Sequence, residues 1–244
     1  MARVHAERHG NLLLVARRKD PLEALKAELE QAHGVSVLVL AEDLTHPNAP
    51  GRIHTAVTDA GVMVDYLINN ARLGARGLFH EMPWEQMLTM IQVNATALAG
   101  QTHAFLPEFV AHKSARVLNV TSTAAEMPGA MLAICFATKG FAVYLGNAVV
   151  EELSCTKITV ANFIPTETAP EFAQVVGMAD TPLVRKTSSA RRVALNGYDA
   201  MLRGDVEAYG GMKFERRLMR MLTKIMPKRG AMRAVRKAQE ATAS

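Results

Sequence analysis

Residues Arg116–Gly140, RVLNVTSTAAEMPGAMLAICFATKG, begin as a strand and end as a helix. Val117–Val120 is a short apolar run, Thr121, Ser122 and Thr123 turn the chain, and a helix-like segment carrying Lys139 follows. Residues i and i+4 share a helix face, so Cys135 and Lys139 are expected to point into one cleft. A thiol ordinarily titrates near about 8.5, and a neighbouring ammonium favours its anion, so Lys139 is expected to lower the Cys135 pKa. Phe136 has no hydroxyl, and Tyr144, nine residues on at roughly 100° per residue, falls on the opposite side of the helix.

Outward from this stretch, strands and helices alternate. Residues 2–9 read as the end of a helix, and Asn11–Val15 (NLLLV), bounded by Gly10 and Arg17-Arg18-Lys19, as a buried strand. Asp20-Pro21 supplies an N-cap and a first-turn proline for a helix to Ala32, with Leu22, Leu25 and Leu29 on one face. The strand Val35–Leu40, the helix Arg52–Ala60 and the strand Asp65–Asn69 come next, then a loop containing Gly74 and Gly77. Trp84–Phe109 reads as one long helix, the Cys135 region as a helix to Leu153, and Ile158–Ile164 as a strand. Beyond a Pro- and Thr-containing loop, 166–187, Arg191–Arg203 is helical and Val206–Tyr209 a short strand. The alternation predicts an α/β fold built on a doubly wound parallel sheet. Residues 1–210 form one domain in this reading, and 211–244 a basic tail.

The 244 residues, 49% of them hydrophobic, are enough for one large α/β core. No run approaches the roughly 18 uninterrupted apolar residues of a membrane span. The opening MARVHAERHG has no apolar stretch of the secretory kind. Cys135 and Cys155 form neither a metal-ligand spacing nor a disulfide framework, so a reducing cytoplasm is expected. His5 and His9 share a helix face but lack a third ligand, and no metal site is expected.

The net charge of +5 is unevenly placed: residues 213–237 carry ten Lys/Arg against Glu215, so the rest of the chain is mildly acidic. Phe214, Leu218, Met221, Leu222 and Ile225 make an apolar stripe flanked by Arg216, Arg217, Arg220 and Lys224, interrupted at Pro227. Such a helix can pack on its own domain with a solvated basic face, or lie on an anionic membrane surface. Nucleic acid is disfavoured, because no aromatic stacking residues accompany the charge.

Together these segments resemble the short-chain dehydrogenase/reductase family, over roughly residues 2–210 in element order. The family places a serine at a strand end, a tyrosine thirteen positions later and a lysine four beyond that. Ser122 and Lys139 match, and Cys135 stands at the tyrosine position. LINNAR (Leu67–Arg72) matches the strand-end motif N-N-A-G through Asn69, Asn70 and Ala71, with Arg72 for the glycine. Asn94, in MIQVNATALAG, matches the helix asparagine that supports a proton relay to the lysine. Asp43-Leu44 resembles the pair beside the adenine, and Pro165 and Thr168 resemble P-G-x-x-T, with Thr166 for its glycine. Arg17 and Arg18 follow the strand where the family recognises the ribose; basic residues there suit a 2′-phosphate and imply NADP. Taken singly, these segments also read as an Asn-rich turn, a helix-capping aspartate and a solvated basic turn.

The resemblance implies a Rossmann-like fold, a small carbonyl or alcohol substrate, and a homo-oligomer paired through the helices around Trp84–Phe109 and Cys135–Leu153. It also implies a first strand and the loop T-G-x-x-x-G-x-G, whose backbone N–H groups hold the pyrophosphate. Nothing before Asn11 supplies them, and MARVHAERHG resembles the end of the helix that would follow. Without that strand, neighbouring strand edges are expected to lie open. Either the true start lies upstream or the chain is a truncated or non-catalytic relative. Hydride transfer between NADP(H) and a carbonyl or alcohol is the first expected function, with turnover low or absent because the phosphate loop is lacking and a thiol is much shorter than a phenol. The second is a non-catalytic protein acting through dimerisation or its tail.

Overall fold

The computed structural model describes residues 1–165 and 189–210, together with 229, 230, 232, 233 and 236. The described strands form two parallel sheets. In the first, β1 (Leu12–Ala16) pairs with β2 (Val37–Ala41). In the second, β3 (Tyr66–Asn69), β4 (Arg116–Val120), β5 (Thr159–Pro165) and β6 (Glu207–Gly210) lie in that order. Among the described residues no strand joins β1 to β3, the break expected when the first strand is lacking. Thr168 and the loop 166–187 lie outside the described residues, as does most of the 213–237 tail.

The helices are α1 (Ala2–Ala6), α2 (Lys19–His33), α3 (Ala49–Asp59), α4 (Trp84–Ile91), α5 (Ala97–His112), α6 (Ala133–Glu152) and α7 (Ala190–Arg203). Helix α2 starts two residues earlier than Asp20-Pro21 suggests, with Arg18 at the cap and Asp20 inside the first turn. There the carboxylate still faces the positive end of the helix dipole. At its other end Gly34 takes φ 65°, closing the helix through a bond to the Glu30 carbonyl. The long helix expected over Trp84–Phe109 is divided: residues Gln92–Thr96 form a π-helical turn between α4 and α5. Such turns gather at functional sites, and this one contains Asn94.

Strand alternation sorts the core. Leu67, Val117 and Val160 face α3, α5 and α6, where Ile53, Phe105, Phe109 and Val149 meet them. Leu118, Val120, Ala161 and Phe163 face α1 and α7, against Val4, Tyr198 and Met201. Leu13 and Val15 of β1 pack on the first of these clusters, so both sheets share one core. By length and composition α6 is apolar enough to cross a bilayer. Its inner face is committed to the protein, burying Cys135, Lys139, Ala142, Val143, Gly146 and Val149.

His5 ties α1 into this arrangement. Its Nε2 donates to the Asn11 carbonyl at 3.1 Å, so its Nδ1 accepts from the Tyr198 hydroxyl at 2.7 Å. Burial holds its pKa below the usual 6.5. The neutral ring is therefore favoured in the fold, and its stabilisation is complete above pH 6.5. As pH falls below that value the unfolded chain gains the proton first, and this stability is lost until the folded ring also titrates. The melting temperature should drop between pH 7 and pH 5.5, and His5→Phe should flatten that part of the profile; an unchanged slope would remove His5 as its source.

Candidate active site

The site gathers at the C-terminal end of β4. Ser122 is extended (φ −168°, ψ 160°), and its Oγ accepts from the Ala124 N–H at 3.2 Å, capping a 3₁₀ turn over Thr123–Glu126. A hydroxyl that accepts a bond keeps its own hydrogen to donate. Helix α6 lies against this turn, with Gly140 near the Ala125 carbonyl.

Lys139 reaches down from α6 to the same strand end. Its Nζ donates to the Val120 carbonyl at 3.1 Å, two residues before Ser122, and the residue is 5% exposed. Burial pulls the amine down to about 8; the charge of Arg72 pushes the same way and Cys135 opposes it. Serine and lysine therefore converge on one strand end, on the face that α6 covers.

Cys135 lies one turn before Lys139, 8% exposed and packed with Leu132 and Phe136. Its thiol runs against the expectation drawn from Lys139. Burial pushes the pKa up, and although Lys139 and Arg72 both pull it down, desolvation wins. The group is an un-ionised thiol at neutral pH rather than a thiolate. The Arg72 guanidinium, itself lowered by burial, feels the same thiol. Arg72 takes the place of a glycine in the resembling motif without strain. The described non-glycine residues with positive φ are His9, Lys113 and Met131.

Asn94 fixes this geometry. Its Oδ1 accepts from the Leu73 N–H at 2.8 Å, and its Nδ2 donates to the Leu73 carbonyl at 2.8 Å and to Thr138 Oγ1 at 3.1 Å. The Thr138 hydroxyl donates to the Cys135 carbonyl at 3.1 Å. The π turn thus clamps the chain after Asn70, Ala71 and Arg72 onto α6 beside Cys135 and Lys139. Thr138 was not singled out from sequence; a threonine next to the lysine carried no signal of its own.

Beneath the site runs a chain of amides that sequence reading also missed. Asn69, Asn119 and Asn162 stand in register across β3, β4 and β5. Asn69 Nδ2 donates to Asn119 Oδ1 at 2.9 Å, and Asn119 Nδ2 to Asn162 Oδ1 at 3.1 Å. Asn162 Nδ2 ends on Asn147 Oδ1 at 2.8 Å and the Val143 carbonyl at 3.3 Å of α6. Gly146 permits this approach, since a Cβ there would come within 2.3 Å of Asn162 Oδ1.

The remaining positions lie at other strand ends. Arg17 and Arg18 are exposed after β1, and Asn70 and Ala71 are exposed after β3. Asp43 follows β2; its Oδ1 accepts from the Thr45 N–H at 2.9 Å, which holds its carboxyl below the usual range. Leu44 packs on the main core, and Pro165 closes β5 opposite Gly210.

Parallel strands flanked by helices, with Ser122 and the Lys139 amine at the end of β4, make a Rossmann-like arrangement. The short chain dehydrogenase family model matches residues 1–180, and the chain belongs to that family. A very-long-chain 3-oxoacyl-CoA reductase of Laccaria bicolor is 32% identical over 152 residues, covering 62% of this chain and 45% of that one. The human protein of the same name is 26% identical, covering 69% and 55%. The chain spans about half the length of these curated relatives. A short-chain dehydrogenase from Sphingobium yanoikuyae, solved in complex with NADPH, is 28% identical with a TM-score of 0.81, covering all of this chain and 93% of that one.

Proposed function

We infer that the chain is an NADP-dependent oxidoreductase of small carbonyls or alcohols whose proton-donor position holds a thiol. The observation that carries this reading is the Lys139 amine held on the Val120 carbonyl, two residues from Ser122. Ser122 donates to the substrate carbonyl oxygen and orients it. Lys139, with its amine near 8, changes charge just above neutrality and tunes any acid at position 135. Asn94 positions the Arg72 turn and supports proton movement towards Lys139.

NADPH, when bound, supplies the hydride. The residues present suit its two ends: Arg17 and Arg18 for a 2′-phosphate, Asp43 and Leu44 for the adenine, Asn70, Ala71 and Pro165 along its path, and Lys139 for the nicotinamide ribose. Thr168 joins that set on resemblance alone. Residues 1–244 hold no glycine-rich loop for the pyrophosphate. Reduction of a carbonyl also needs a proton delivered to its oxygen. The Cys135 sulfur stops several bond lengths short of where a phenol oxygen reaches, and its raised pKa does not repair that distance. Turnover of residues 1–244 alone is therefore low.

Fluorescence titration tests the reading. NADPH should be bound in preference to NADH, and Arg17→Glu with Arg18→Glu should erase the preference. A folded chain that ignores both nucleotides would instead favour a non-catalytic relative working as a homo-oligomer. Trp84, Leu88, Phe141 and Tyr144, exposed on α4 and α6, support that second reading. The cytoplasm is the proposed location, with the basic stretch 213–237 as a route to anionic membrane surfaces; co-sedimentation with anionic vesicles, lost on deleting it, is the check.

A further inference from the structure

We propose that Lys139 is an amine nucleophile that condenses reversibly with an aldehyde or ketone held at Ser122, forming an imine in a reaction that uses no nucleotide. This activity goes beyond hydride transfer and does not rest on it.

The amine is held where a carbonyl can meet it. Lys139 is buried on the inner face of α6, and its Nζ donates to the Val120 carbonyl at 3.1 Å. A neutral amine makes that bond with one N–H and keeps its lone pair for a carbon centre. Two residues further on, Ser122 Oγ accepts from the Ala124 N–H, so its own hydrogen is left to donate to a carbonyl oxygen. Ser122 is half-exposed, which opens this strand end to a small molecule from solvent.

The surroundings favour the uncharged amine. Burial and the charge of Arg72 both pull the Lys139 pKa down to about 8, and the Cys135 thiol opposes them. Arg72 is fixed beside the cleft, because Asn94 binds both the N–H and the carbonyl of the next residue, Leu73, at 2.8 Å. Desolvation together with a neighbouring cation is how a lysine is prepared for Schiff-base chemistry. Both departures from the family pattern act in this sense. Arg72 brings a charge where a glycine would bring none. A phenolate at position 135 would be a counter-ion for Lys139, whereas a thiol pushed up by burial stays un-ionised at neutral pH.

The reaction balances without an oxidant or a reductant. The nitrogen lone pair bonds to the carbonyl carbon while the C=O π pair moves to oxygen, which takes a proton. The carbinolamine then loses that oxygen as water, and the nitrogen, having given up both hydrogens, forms the C=N bond. The Ser122 hydroxyl and the un-ionised Cys135 thiol, one helical turn before Lys139, are the hydrogen-bearing groups beside these steps.

The probe is propanal with sodium cyanoborohydride, applied to the nucleotide-free 244-residue chain between pH 6 and pH 9. Reduced adducts are located by peptide mass mapping. At pH 7 Lys139 should be alkylated at least about tenfold faster than exposed Lys113 or Lys157, since about a tenth of an amine near 8 is unprotonated, against under about one part in a thousand at the ordinary value of about 10.4. Its rate should rise with pH through a midpoint near 8, and Arg72→Met, which removes the charge and keeps bulk, should move that midpoint upward. Ser122→Ala should slow Lys139 several-fold and leave alkylation of the Met1 amine, also lowered by burial, unchanged. Mapping of the parent chain involves no variant, so folding is not at stake there. Lys139 reacting no faster than Lys113, or a midpoint that Arg72→Met leaves in place, would overturn the proposal. A chain that ignores NADPH yet alkylates at Lys139 would sink the hydride-transfer reading alone; one that binds NADPH and leaves Lys139 unmodified in its absence would sink the imine alone.

Discussion

Cys135→Tyr is expected to raise NADPH-dependent carbonyl reduction by about 10²–10⁴-fold, the usual contribution of a well-placed general acid. The substitution restores reach as well as chemistry. Position 135 is one helical turn from Lys139, whose amine is anchored to the end of β4 beside Ser122. Asn94 and Thr138 hold the helix and the Arg72 turn around it. Two cations, Lys139 and Arg72, already bear on this position and pull its acid towards ionisation. A phenol is long enough to profit from them at the substrate oxygen; the thiol is not. The comparison belongs in a preparation shown to bind NADPH, with kcat measured at saturating nucleotide. Absence of gain there would mean that the thiol is not what limits the reaction.

The second large effect concerns stability. Asn119→Leu is expected to cost about 3 kcal/mol, because it removes the acceptor of Asn69 Nδ2 and leaves Asn162 Oδ1 without its donor, and each buried orphan costs about 1–3 kcal/mol. Asn162 is fully buried and pressed against Gly146, so water has no room to replace the lost partner. Asn69 keeps its bond to Thr102, which moderates the loss on that side. In a domain of this size about 3 kcal/mol lowers the melting temperature by roughly 6–12 °C. Asn147→Ala, at the outer end of the same chain of amides, should cost less. A change below about 1 kcal/mol in Asn119→Leu would show that the ladder carries little of the stability.

Much of the fold was legible because apolar runs such as NLLLV and VLNV are short, and Gly, Pro and Asn separate them from helical stretches. The placement of the candidate residues was legible through spacing: Ser122, Cys135 and Lys139 lie close enough along the chain that one strand and one helix bring them to the end of β4. What escaped depended on partners distant in sequence. Asn69, Asn119 and Asn162 each interrupt an apolar strand, and only the strand register makes them one structure. The π turn at Asn94 has no local cue, since nothing in MIQVNATALAG breaks a helix. The direction of the Cys135 shift was misread because the charge of Lys139 is visible in sequence while the desolvation that outweighs it is not. The break between β1 and β3, in contrast, followed directly from the lack of a strand before Asn11.

Convergence of position 135 and Lys139 on one cleft can be measured without cofactor or substrate. The tyrosinate absorbance of Cys135→Tyr, taken as a difference from the parent chain, gives the pKa of the introduced phenol. The same titration in Cys135→Tyr with Lys139→Met removes the charge and keeps the bulk. With the amine in the cleft the phenol should titrate lower by about one pH unit or more than without it. An identical midpoint in the two proteins would place Lys139 outside that cleft and contradict the site.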